Sequence, residues 1–239
     1  MEIFTQEGGA FLSRWGHVLS GITWIGLLYY FNFVQTPAFA AFEAGPRTEA
    51  IRKLVPRALW WFRWAAMLTL LTGLMILGFQ EQFDGDYFET ASGISISTGI
   101  LLAVTMWANV WFVIWPAQKK VIANAENVAA GGEADPGVPA VARKGALASR
   151  TNTFFSIPML FFMVATSHFV PGSFDTSDNR IGYWLVVLVL WALFELNGLG
   201  VFGTETGGPR MYLDDHRYTI AGGFILTAVI YLLWEIFFG

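Results

Sequence analysis

Residues 11–34 read FLSRWGHVLSGITWIGLLYYFNFV. Arg14 is the only permanently charged residue in that run. It is long enough to cross the hydrocarbon of a bilayer as one helix, which takes about 20 mainly apolar residues. Further runs of the same kind follow at 58–79, 94–115, 151–170, 183–202 and 220–238. Backbone N–H and C=O groups must pair within the segment when no water is present, so each run is expected to be helical. The expected fold is all-α and polytopic: a six-helix transmembrane bundle, formed as a single domain over residues 1–239. No internal repeat is evident. The stretch 37–57 reads as a polar, partly helical connection. The longest loop, 117–149, holds Gly131-Gly132, Pro136 and Pro139 and reads as the most mobile segment.

Composition agrees. Of the 239 residues, 55% are hydrophobic and only 13% charged, against about a quarter charged in soluble domains. Mean hydropathy is +0.51. These values exclude a soluble enzyme, a disordered chain and a DNA-binding domain. The net charge of −4 comes with no basic block, so no nucleic-acid partner is expected. With no Cys, the chain has no disulfide, no thiolate metal site and no covalent c-type haem.

The basic residues set an orientation. Arg47, Arg52, Lys53 and Arg57 lie in the first connection. Lys119, Lys120, Arg143, Lys144 and Arg150 lie in the third, and Arg210 and Arg217 in the fifth. The opposite side has Arg14 and Arg180, together with the acidic residues Glu81, Asp84, Asp86 and Glu89. The positive-inside rule then puts the basic loops in the cytoplasm and both termini outside.

Polar groups at membrane depth are costly and mark candidate sites. His17, in the outer half of the first span, and His168, at the outer end of the fourth, come to similar depth. Facing imidazoles suit a b-type haem. Another metal, or plain structural hydrogen bonding, remains open for this pair. His216 falls in the last basic loop, beside Asp214 and Asp215, on the other side.

A second cluster gathers in the inner half: Tyr29, Asn32 and Gln35; Arg63 with Trp60, Trp61 and Trp64; Asn109, Trp111 and Trp115; Arg150, Asn152, Thr153 and Ser156; and Glu195 with Asn197. Arg and amides with aromatic walls suit a flat, anionic, hydrogen-bonding substrate. The same residues also permit interhelical bridging, with Arg63 snorkelling to headgroups or neutralised by Glu195.

Four segments carry a family resemblance: HVLSGITWIGLLYYFNFVQ (17–35), PRALWWFRW (56–64), Asn109-Val-Trp111 with WPAQKK (115–120), and RTNTFFSIPMLFFM (150–163). As a set they resemble the bacterial membrane-bound urate oxidase family. That family usually carries a C-terminal cytochrome c domain after its membrane region. This chain, which ends at Gly239 without Cys, reads as a shortened form.

The resemblance implies an oxidoreductase of purine degradation in a bacterial inner membrane, oxidising urate or a related small heterocycle at a cytoplasmic-side pocket. Substrate would be held by Gln35, Asn32, Arg63, Asn109, Arg150 and Asn152. Glu195 is the candidate base, with Arg63 beside it in the catalytic set. Electrons would pass through a haem b on His17 and His168 to a separate cytochrome or quinone. The rival expectation is a non-catalytic membrane subunit of a respiratory or photosynthetic complex.

Overall fold

The computed structural model describes residues 2–169 and 180–238. Residue 170, the last of the fourth expected span, lies outside them. Among the described residues every regular element is a helix. We number the α-helices α1 (Gln6–Ala41), α2 (Ala44–Lys53), α3 (Val55–Phe79), α4 (Gly85–Glu89), α5 (Ala91–Ala129), α6 (Val138–His168), α7 (Arg180–Gly198), α8 (Met211–Asp214) and α9 (His216–Phe238). Short 3-10 turns cover Glu2–Phe4 and Gly208–Arg210.

Helices α1, α3, α5, α7 and α9 are long and apolar enough to cross a membrane. The chain is thus an all-α, multi-pass membrane bundle. The fourth expected span falls in α6, which is long enough at 31 residues but less apolar. The reason is its position. Helix α6 packs against α5 and α9, and also meets α1 and α7. A helix surrounded by protein can carry Arg150, Asn152, Thr153 and Ser156, because protein groups rather than lipid meet them.

Thr5 starts α1 by accepting the Gly8 N–H on its side chain. Gln6 donates from Nε2 to the Phe79 carbonyl at 2.8 Å, which ties the start of α1 to the end of α3. Helices α1 and α3 form one packed pair, and α5 and α6 another.

The stretch 117–149 is mostly helix rather than loop. Helix α5 runs on to Ala129 and α6 begins at Val138. Ala, Lys, Glu and Asn fill the first part, and no glycine interrupts it before Gly131. There the chain reverses, with Gly131 at φ 89°. Asn127 Nδ2 donates to the Glu133 carbonyl at 2.7 Å and holds the turn.

Helices α1 and α5 each contain one π-helical turn, Tyr30–Gln35 and Asn109–Ile114. Each is followed two residues later by proline, Pro37 or Pro116. Proline lacks the N–H that would bond four residues back, and its ring crowds that carbonyl. The wider turn shifts the pairing: the Thr36 N–H bonds to Phe31 and the Trp115 N–H to Val110, both five residues back. The two sites share the pattern Phe-Val-x-x-Pro-Ala, at 33–38 and 112–117. This local repeat escapes a search for long self-similarity.

Candidate functional site

Helix α5 presents Asn109 from its π turn towards α6 and α7. Asn109 Nδ2 donates to Asn152 Oδ1 at 3.0 Å and to Glu195 Oε2 at 3.2 Å. Asn152 Nδ2 in turn donates to the Met106 carbonyl at 2.9 Å. Asn152 is fully buried, and Glu195 keeps only 8% exposure. Three expected site residues from three helices therefore form one bonded node. Close approach of α6 and α7 depends on Gly198, where an added Cβ would collide with Thr151 Oγ1.

Helix α1 also bonds to α6, at Ser149 and Ser156. Tyr29 Oη and Ser156 Oγ share a hydrogen bond of 2.9 Å. Asn32 Nδ2 donates to Ser149 Oγ and to the Leu28 carbonyl, both at 2.9 Å. Arg150 follows Ser149, is buried, and lies within electrostatic reach of Asp215 and Asp214. Arg150 Nη1 and Gln35 Oε1 are buried without a hydrogen-bond partner among the described residues. Such orphans are rare in folded proteins and point to an unaccounted partner.

Arg63 does not join this group. Its guanidinium lies over the rings of Trp115, Trp111 and Trp64, at 4.1, 5.0 and 5.6 Å from their centroids. Trp111 is two residues beyond Asn109, which puts it on roughly the opposite face of α5. Helix α5 thus stands between Arg63 and the node. Among the described residues no carboxylate pairs with Arg63, so Glu195 does not neutralise it.

The three histidines have different surroundings. His17 packs against α3, where Nδ1 lies 2.9 Å from the Thr69 carbonyl and 3.3 Å from Thr72 Oγ1. A carbonyl only accepts, so Nδ1 carries the proton and Nε2 keeps its lone pair. Gly73 leaves room for the ring: a Cβ there would sit 3.2 Å from His17 Cε1. That arrangement fits an axial ligand whose other nitrogen is held by backbone. His168 is the exposed last residue of α6. His216 starts α9, with its ring 5.8 Å from that of Phe33 and its Nδ1 3.9 Å from Asp215.

Several connecting residues were not expected. Arg210, 5% exposed, donates to Asn197 Oδ1 at 3.3 Å and to the Phe202 carbonyl at 3.0 Å. Asn197 Nδ2 donates to the Pro209 carbonyl and to Tyr212 Oη. Burial pushes the Tyr212 phenol up to about 12, so it stays neutral as an acceptor. Arg143 reaches Asp214 at 2.7 Å and the Thr204 carbonyl at 3.0 Å. The doublet Asp214-Asp215 beside Arg210 was the available signal; nothing local pointed to Arg143 as its partner.

A family model described as Urate oxidase N-terminal matches residues 86–196. The match takes in Asn109, Asn152 and Glu195, the three residues of the node, and also Arg150 and His168. His17, Asn32, Gln35 and Arg63 lie before it. Over the matched stretch the chain is similar to that family, as its motifs imply. No curated protein and no solved structure matches the chain.

Proposed function

We propose that the chain is a membrane oxidoreductase that binds urate, or a closely related flat anionic heterocycle, at the end of the bundle carrying the basic connections. The observation that carries this reading is the pair of buried, unpartnered groups Gln35 Oε1 and Arg150 Nη1, on helices α1 and α6, which Asn32 and Ser149 tie together. Arg150 supplies positive charge and in-plane donors for an anion. Gln35 Oε1 offers an open acceptor, and the amides of Asn32, Asn109 and Asn152, bonded within the protein, would exchange partners with a purine edge. Glu195 has one oxygen held by Asn109, and its other oxygen takes a proton from the substrate.

Oxidation releases electrons that need an acceptor, and a separate cytochrome or quinone is the class proposed. His17 fits a haem b ligand through its free Nε2, with His168 proposed as the second ligand. Such a haem, when bound, supplies one-electron transfer. The basic loops are proposed to face the cytoplasm of a bacterial cell, and α6 to be the sixth span.

The test uses the full chain in nanodiscs. Urate binding is followed by calorimetry, and urate loss by absorbance with cytochrome c or a quinone as acceptor. The reading expects binding that Arg150→Gln removes. It expects Glu195→Gln to bind urate without turnover. A reduced b-type band should disappear in His17→Ala and persist in His216→Ala. Absence of both binding and chromophore would overturn the proposal in favour of a non-catalytic membrane subunit.

A further inference from the structure

We propose that Arg63, Trp64, Trp111, Trp115 and Lys119 form a binding site for the phosphate of an anionic phospholipid, on the seam between α3 and α5. This site is separate from the substrate pocket and does not depend on that reading.

Arg63 is held by aromatic rings, not by anions. Indoles from two helices surround its guanidinium, the closest centroid being 4.1 Å away. Stacking leaves the in-plane N–H donors of an arginine unused and aimed outward. No protein acceptor takes them among the described residues, and Nε is buried without a partner. A positioned fork of donors with no internal anion suits a bidentate oxyanion.

The Lys119 Nζ lies 5.7 Å from the Trp115 centroid. Two cations therefore share one indole, Arg63 from α3 and Lys119 from the extension of α5. Each Lys or Arg near an anionic lipid surface adds about 1 kcal/mol of attraction, so two cations side by side favour a phosphate there more than one does.

The surroundings decide between a lipid and a free anion. Trp64 is itself 40% exposed. Trp61 and Phe112, at 60% and 70%, expose large apolar surface on the same two helices. Acyl chains would cover that surface, and indoles favour the depth where headgroups meet hydrocarbon. Arg63 also sits towards the Val55 end of α3, near the basic connection carrying Arg52, Lys53 and Arg57. A soluble anion would gain from the charge but nothing from the apolar flank.

The experiment delipidates the purified full chain in detergent. It then adds phosphatidylglycerol, phosphatidylcholine, inorganic phosphate or urate, reading bound lipid by native mass spectrometry and thermal unfolding in parallel. Phosphatidylglycerol is expected to bind and raise the unfolding temperature, with phosphatidylcholine far weaker. Arg63→Gln should weaken phosphatidylglycerol binding roughly tenfold or more. Arg63→Lys, which keeps the charge and guards against a folding defect, should fall between Gln and wild type because it loses the planar grip. Lys119→Gln should weaken binding less than Arg63→Gln. Equal binding of both lipids, or wild-type binding by Arg63→Gln, would overturn the proposal. So would a full thermal shift from inorganic phosphate alone, or displacement of the lipid by urate, which would return Arg63 to the substrate site.

Discussion

The two faces of α5 handle buried polarity in opposite ways. Towards α6 and α7, Asn109 bonds both an amide and a carboxylate, and all three residues are buried. Towards α3, Arg63 meets only aromatic rings and stays half-buried. The first face bonds its groups to one another, so its removal should be felt as lost stability as well as any loss of substrate binding. The second leaves donors open, so its removal should be felt as lost binding. The π turn supplies both residues: Asn109 and Trp111 stand two positions apart in the same widened segment.

The largest expected effect breaks the bonded face. Asn109→Leu leaves Asn152 Oδ1 and Glu195 Oε2 buried without their donor. Each orphaned group costs about 1–3 kcal/mol, more where it is charged. Denaturant unfolding in mixed micelles should show a clear loss of stability, and Arg63→Gln in lipid-free detergent should show far less. Equal losses would erase the contrast between the faces. Next comes Gly198→Ala, which forces α6 and α7 apart at Thr151. Overpacking of this kind costs about 1–3 kcal/mol. The same assay should register it, with an added loss of urate binding if the node shifts.

A smaller effect concerns the connection below the node. Asp214 would be raised by its burial, but the Gly207 N–H and Arg143 outweigh that and hold its carboxyl below the ordinary value. A carboxyl lowered in the folded state adds stability at and above its unfolded pKa, near 4. That contribution falls away as pH drops through the lower folded value. A pair open to water contributes less than about 1 kcal/mol. Stability measured against pH should therefore lose a small acid-side component in Asp214→Asn, while binding at the Arg63 seam stays unchanged. The smallest effect is Tyr29→Phe, which removes one interhelical hydrogen bond to Ser156 worth about 0.6 kcal/mol. A loss comparable to that of Asn109→Leu would show that the bonded region extends to α1.

Much of the bundle was legible because lipid imposes a single rule on every span. Five of the expected apolar runs coincide with helices of membrane-crossing length and character. Helix α6 fits the rule less well because its neighbours are protein, and a hydropathy scale sees composition but not neighbours. The extension of α5 to Ala129 was also hidden, since Gly131-Gly132 dominated the reading of 117–149. For the site, residue types were legible and partnerships were not. Asn109, Asn152 and Glu195 were placed together correctly. Arg63 was grouped with them by depth, and depth does not say which side of a helix a residue occupies.

The sequence by itself determined that the chain is helical, apolar and polar at chosen depths, because transfer from water to hydrocarbon depends on residue type alone. It also carried the two Phe-Val-x-x-Pro-Ala segments whose prolines call for a shifted hydrogen-bond register. Only the tertiary structure decided that α5 divides the polar residues into a bonded node and an open aromatic seam. That division depends on which helices flank α5 and on the rotation set by its π turn. Hydrogen bonds and ring contacts reach only a few ångströms, so they follow from packing in space and not from position along the chain.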